Sequence, residues 1–193
     1  MIPVGIDTRW CSIDAAPSGG RIVVAGYDGR FALLDVPTDG NPPLATDLAW
    51  GERSDQRIRT IRFSPDGRSI AMTGADRVSV ADADGRLLRS RRMPTNSLWG
   101  LSWSPTGDRI AVSGWDQLLR VLDAGSLEEW HHQFGADGPV WSIAWPTDLL
   151  IGTGEENAAI RWWDSEPLGN PTIALPSPAC DAVARSEEHT SEL

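Results

Sequence analysis

Lysine is absent from this chain: all 17 basic residues are arginine. Phenylalanine and tyrosine are scarce, at three and one, so ten tryptophans carry most of the aromatic content. The two cysteines, Cys11 and Cys180, lie far apart and form no motif, which indicates neither a disulfide nor a metal site. No apolar run approaches the ~18 residues of a membrane span, and the N-terminus lacks the charged-then-apolar layout of a signal peptide. The default expectation is therefore a soluble, cytoplasmic chain that does not engage a membrane. A formal net charge of −10 speaks against a nucleic-acid surface, since a phosphate backbone calls for clustered cations. The one basic cluster, Arg86, Arg89, Arg91 and Arg92, reads more simply as a solvated strand edge. Abundant arginine, glycine, proline and alanine suggest GC-rich coding and a bacterial source.

What the chain does have is self-similarity. Ile58 to Phe63 is followed by Ser64-Pro65-Asp66-Gly67, then Ile70 to Gly74, and closes at Asp82. Trp99 to Trp103, Ser104-Pro105-Thr106-Gly107, Ile110 to Gly114 and Asp123 repeat the scheme. A third copy runs from Val140 through Trp145-Pro146 and Leu150 to Gly154, closing at Trp163-Asp164. Gly74, Gly114 and Gly154 are thus forty residues apart each time. A weaker first copy begins at Trp10 and closes at Leu34-Asp35, with Pro37 to Pro43 absorbing extra length as a loop.

Each copy reads as three short strands and a looser fourth. The first alternates, as Ile61 and Phe63 do, and ends in a turn where proline presets φ and glycine accepts φ > 0. The second is nearly all apolar, as in Ile110-Ala111-Val112, which suits a sheet covered on both faces. The expected fourth strands are Leu44 to Trp50, Arg86 to Arg92, Leu127 to Phe134 and Thr172 to Leu175. Four antiparallel strands every forty residues describe a propeller blade. The fold expectation is all-β: a partial β-propeller of about four four-stranded antiparallel blades in an open arc. The blades are expected at about 10–50, 57–92, 98–134 and 140–176.

The Trp163-Asp164 dipeptide, the Ser-Pro-x-Gly turns and the Ser/Thr-Gly that ends each second strand resemble the WD-repeat family, over roughly residues 10 to 176. Propellers of other kinds share the Ser-Pro-Asp-Gly turn, but the apolar-x-Asp endings and the period favour this one. The chain departs from the family pattern at Asp35, Asp82 and Asp123, which no tryptophan precedes, and in lacking Gly-His before the first strand. The family's His-to-Ser/Thr-to-Asp-to-Trp relay is then expected to be incomplete in every blade. The resemblance implies a seven-bladed whole, so this stretch is expected to be part of a larger protein, with 179–184 opening a fifth blade. Residues 185–193 read as the in-frame translation of AGA TCG GAA GAG CAC ACG TCT GAA CTC, a sequencing-adapter sequence, and are expected to be a non-native tail.

No catalytic constellation stands out. His131 and His132 are adjacent on an expected strand and would face opposite ways, so they cannot share one ion. No Gly-x-Ser-x-Gly elbow or Gly-Lys-Ser/Thr phosphate loop occurs. Asp28, Asp76, Asp116 and Glu156 recur in the turn between second and third strands. They are expected either to accept backbone N–H bonds there or to face a basic ligand. Trp103, Trp145 and Trp162 fall at repeat-core positions. Arg59, Trp99 and Trp141 stand four residues before the core aromatic, as Cys11 does in the first copy, and Tyr27 and Trp115 lie in the turn after the second strand. The family resemblance places those positions on the narrow top face, and indole and guanidinium side chains are the usual interface hot spots. The expected function is a non-catalytic scaffold for a protein or peptide partner, without cofactor or metal. The alternative is an accessory or sensor propeller of a kinase, protease or signalling ATPase whose catalytic part lies elsewhere.

Overall fold

The computed structural model describes residues 9–37, 49–52, 54, 57–95, 97–166 and 173–175; the readings of 44–48, 179–184 and 185–193 lie outside them. The described residues are all-β, in four separate four-stranded antiparallel sheets. Blade 1 comprises β1 (Trp10–Ala15), β2 (Arg21–Gly26), β3 (Phe31–Asp35) and β4 (Ala49–Trp50). Blade 2 comprises β5 (Thr60–Phe63), β6 (Ser69–Thr73), β7 (Arg77–Asp82) and β8 (Leu87–Arg92). Blade 3 has β9 (Leu98–Trp103), β10 (Arg109–Gly114), β11 (Leu119–Asp123) and β12 (Glu129–Gln133). Blade 4 has β13 (Val140–Thr147), β14 (Leu150–Glu155), β15 (Ile160–Asp164) and β16 (Ile173–Leu175). The strands of each sheet lie in chain order, and the first strands touch successively, β1 to β5 to β9 to β13. No comparable contact joins blade 1 to blade 4 among the described residues, so the arc is open.

Three apolar clusters fill the spaces between blades. Val23, Leu33 and Phe31 of blade 1 meet Ile61, Phe63 and Met72 of blade 2. Val80 of blade 2 meets Leu101, Trp103 and Val112 of blade 3, and Val121 of blade 3 meets Ile151 and Trp163 of blade 4. A blade buries its faces only against its neighbours, which is why the second and third strands are apolar almost throughout. The bottom turns stack in the same way. Gly67 (φ +70°) faces Pro17, and Gly107 (φ +78°) faces Pro65, so the left-handed glycine of one turn rests on the proline of the preceding blade. Inside the turn, Ser64 Oγ donates to Asp66 Oδ1 at 2.6 Å and accepts the Ser69 amide at 2.9 Å.

Blade 4 lacks the Ser-Pro-x-Gly turn. Its first strand runs on to Thr147, which pairs with Leu150 across a tight Asp148-Leu149 connection. Its core tryptophan also differs from expectation. Trp163 is fully buried, with Nε1 donating to Thr153 Oγ1 at 2.8 Å, whereas Trp162 is half-buried on the opposite face. Trp162 stands opposite Gly152 in the register, where an added Cβ would lie 3.1 Å from its ring, so the glycine gives that indole room. The Trp-to-Thr link of the family relay is therefore formed in blade 4.

The arginines of β8 are not merely a solvated edge. Arg89 donates to the Ala124 carbonyl at 2.6 Å and Arg91 to the Leu127 carbonyl at 3.1 Å, tying the outer strand of blade 2 to blade 3. On β12, His131 packs edge-on to Trp130 while His132 Nδ1 lies 2.6 Å from Glu129 Oε1, so the two imidazoles do have different surroundings. Burial holds the His131 imidazole below the usual histidine range.

Candidate functional site

The innermost strands β9 and β13, and the residue just before β5, carry equivalent side chains that meet at the top end. Arg59, Trp99 and Trp141 belong to successive blades. The Arg59 guanidinium lies over the Trp99 ring, 4.2 Å from its centroid, and Trp99 meets Trp141 edge-on at 5.0 Å. Trp115, from the β10–β11 turn, meets Trp141 at 6.1 Å with the ring planes 77° apart. Four candidates from three blades thus form one ledge, in edge-to-face geometries that suit the aromatic quadrupole. Trp115 is 54% and Trp141 36% exposed, whereas Trp99 lies deeper beneath Arg59.

The sequence gives no cue for the group that organises this ledge. Ser97 is buried and unremarkable in its motif, yet its hydroxyl accepts the Trp99 indole N–H at 3.0 Å and an Arg59 N–H. Its carbonyl accepts the Trp115 amide at 3.1 Å. Thr60 Oγ1 adds a bond to the Trp99 carbonyl at 2.5 Å. Burial, reinforced by the positive charge of Arg57, pulls the Arg59 guanidinium below its ordinary range.

Tyr27 lies in the β2–β3 turn of blade 1 and makes none of the ring contacts that form the ledge. Cys11, at the blade-1 position equivalent to Arg59, is turned inward: its thiol donates to the Ala25 and Ile58 carbonyls, and burial pushes its pKa up to about 11. That places the thiol in an interblade contact with little thiolate at neutral pH.

The acidic turn residues divide. Asp28 and Asp116 each accept the backbone N–H two residues on, from Arg30 at 3.1 Å and Leu118 at 3.5 Å. Asp76 pairs instead with Arg92. Glu156 does not hold the equivalent place, because β14 runs one residue further. Asn157 does, accepting the Ala159 amide at 3.1 Å just before a left-handed Ala158 (φ 62°), as Asp116 does before Gln117 (φ 63°). Glu156 is exposed with its backbone amide bound to the Pro139 carbonyl. The acid that matters in blade 4 is Glu155, which is buried and takes the Arg161 guanidinium on Oε1 at 2.7 Å; Arg161 also reaches Asp137 Oδ2 at 2.9 Å. Arg120 of blade 3 sits similarly, 2.6 Å from Asp116 Oδ2.

Among the described residues, no three His, Cys, Asp or Glu side chains are grouped to hold a metal ion, and no helix is long and apolar enough to cross a membrane.

Comparison with known proteins points the same way as the blades. The family model described as WD domain, G-beta repeat matches residues 85–123, the span from the β7–β8 turn to the end of β11. Protein HIR1 of Kluyveromyces lactis is 20% identical over 84% of this chain, which covers 22% of that protein. WD repeat-containing protein 1-B of Xenopus laevis is 26% identical over 75% of the chain, covering 24% of its own length. WD repeat-containing protein VIP3 of Arabidopsis thaliana is 27% identical over 72% of the chain, covering 47% of its own length. The chain therefore spans about a quarter of the first two relatives and about half of the third. Its repeat period, blade geometry, family-model match and relatives together support WD-repeat blades in a β-propeller-like fold.

Proposed function

We propose that this stretch is a non-catalytic interaction scaffold whose top end, centred on Trp115 and Trp141 beside Trp99 and Arg59, receives a protein or peptide partner. The observation that carries the reading is the ledge itself: large indoles from two blades are held in fixed contact with one another yet left open to solvent. Tryptophan and arginine contribute most to interface energies, and a side chain already ordered before binding loses little entropy on contact. The relatives support the reading through the repeat they share. A position within a longer protein, as the share of each relative covered suggests, also accommodates the accessory-domain alternative; no residue described above favours a particular catalytic companion. The arginine-only composition supports a bacterial source, although the three relatives named come from a yeast, a frog and a plant. The cytoplasm is its proposed compartment.

Affinity capture with the full chain as bait tests the reading. Trp115→Ala with Trp141→Ala is expected to abolish a captured partner while leaving the far-ultraviolet dichroism and melting temperature unchanged. Leu88→Ala, an exposed apolar change on the outer strand β8, is expected to retain it. Equal capture by wild type and the Trp115/Trp141 variant refutes the assigned face.

A further inference from the structure

Between blades 1 and 2 the top end opens into a groove of about 580 Å³, lined by Arg9, Tyr27, Asp28 and Arg57. Arg9 stands immediately before β1, Tyr27 and Asp28 form the β2–β3 turn, and Arg57 leads into the innermost strand of blade 2. The Tyr27 amide donates to the Arg9 carbonyl at 3.1 Å, which fixes two of these segments against each other. Arg9, Tyr27 and Arg57 are all exposed.

Some arginines sit against carboxylates, as Arg120 does with Asp116 and Arg161 with Glu155, and others on backbone carbonyls, as Arg89 and Arg91 do. Arg9 and Arg57 have no such carboxylate partner among the described residues. Asp28, the acid among the described lining residues, is already directed to Arg30, through its amide at 3.1 Å and its guanidinium at 3.5 Å. Arg59 stands close enough for its own ionisation to feel both Arg57 and Tyr27. Three guanidinium groups therefore share one neighbourhood, and the carboxylate among its described lining residues is engaged by a fourth. Such a cation excess attracts an anion, and guanidinium and phenol donors suit its oxygens.

We infer that this groove binds an anionic side chain, carboxylate or phosphate, borne on an extended segment of a protein partner. The size favours a peptide over a free ion: about 580 Å³ falls within the range that encloses an organic ligand, enough for a side chain and its flanking backbone. The position favours it too. Arg59 links the groove to the indole ledge by lying on Trp99, so a chain with its anionic residue between blades 1 and 2 would bring its neighbours toward Trp99 and Trp141. The inference rests on the proposed partner-binding role of the top end and adds the chemistry that the partner must carry.

Fluorescence anisotropy with short labelled Gly-Ser peptides tests it, the central residue being phosphoserine, glutamate, serine or arginine. The full chain should bind the phosphoserine or glutamate peptide roughly tenfold or more tighter than the serine and arginine peptides, with affinity falling as salt is added. Preference for phosphoserine alone identifies phosphate as the group read, and equal affinity for glutamate identifies general acidity. Arg9→Gln with Arg57→Gln should reduce anionic-peptide binding to the level of the serine peptide. Arg68→Gln with Arg86→Gln, at bottom turns and equal in charge change, should not. Binding indifferent to peptide charge, or equal losses in both double variants, overturns the inference. The broader reading has its own readout: if the peptides fail but the Trp115/Trp141 variant still loses its captured partner, only the anionic groove is lost.

Discussion

Replacing Arg161 by methionine exposes how blade 4 is held together. In the wild-type chain, Glu155 and Arg161 are 6% and 7% exposed, and the guanidinium binds Glu155 Oε1 at 2.7 Å and Asp137 Oδ2 at 2.9 Å. The Asp137 amide closes the loop onto Glu155 Oε2 at 3.2 Å. Methionine removes the cation and leaves the Glu155 carboxylate enclosed with a single amide donor. Breaking a buried pair from one side costs about 3–5 kcal/mol. The lower end, about 3 kcal/mol, is expected because that amide persists and Asp137 is itself largely solvated. Converting both residues to methionine should cost no more than about 1 kcal/mol, since the desolvation of two charges is then avoided. Urea unfolding followed by tryptophan fluorescence reads the difference as a shift in midpoint at constant slope. Arg161→Met costing under about 1 kcal/mol, or a double variant as costly as the two singles added together, would refute the argument that Glu155 depends on this cation.

Two further outcomes are expected. Gly114→Ala should destabilise the chain by several kcal/mol or prevent folding, because the new Cβ would stand 1.9 Å from the backbone oxygen of Ser97. Gly20→Ala, whose Cβ meets nothing within 4 Å, should be neutral in the same thermal melt; similar losses at both positions would rule out the steric account. Stability should also fall in acid. Hydrogen bonds from Ser64, Thr106 and Ser126 hold Asp66, Asp108 and Asp123, respectively, below the usual carboxylate range. A folded-state pKa below the unfolded one means stability that is complete above the ordinary carboxylate pKa and lost as pH falls through the depressed values. The effect is modest because these side chains are exposed and screened. Urea midpoints measured down to about pH 3 should decline, and less steeply in Ser64→Ala with Ser126→Ala; identical slopes would sink the assignment.

The blade pattern was legible because it rests on spacing. A strand that must be covered on both faces is apolar throughout, and its end is marked by glycine, so Gly74, Gly114 and Gly154 reveal the period without any packing detail. The ledge was legible for the same reason: a fixed offset of four residues before Phe63, Trp103 and Trp145 selects Arg59, Trp99 and Trp141. Parity was harder to read. Trp162 and Trp163 are neighbours, and which one enters the core follows from the register against β14, where Trp162 stands opposite Gly152 and Trp163 opposite the buried Ile151, a relation that spacing along the chain does not contain. The acidic turns show the same limit. One extra residue in β14 moves the Asx-type role from Glu156 to Asn157 and turns Glu155 inward to Arg161. Arg9 and Arg57 were invisible as a pair because forty-eight positions separate them and no motif joins them.

Ser97 shows how a small polar residue can set the geometry of a large aromatic surface. Its hydroxyl receives Trp99 and Arg59, and its carbonyl receives the amide that begins the Trp115 turn. Gly114 lies so close to that carbonyl that no side chain fits between them, which brings the turn against the strand entering blade 3. The indoles are thereby positioned from beneath by backbone and hydroxyl groups. Their outer edges have no polar duty left except toward solvent or a ligand. A surface built only for interblade packing would bury those edges, as blade 3 does with Trp103, whose Nε1 donates to the Arg62 carbonyl at 3.2 Å. Trp115 and Trp141 are instead ordered and open, the state in which an aromatic side chain contributes most to association because its conformational freedom has already been lost on folding.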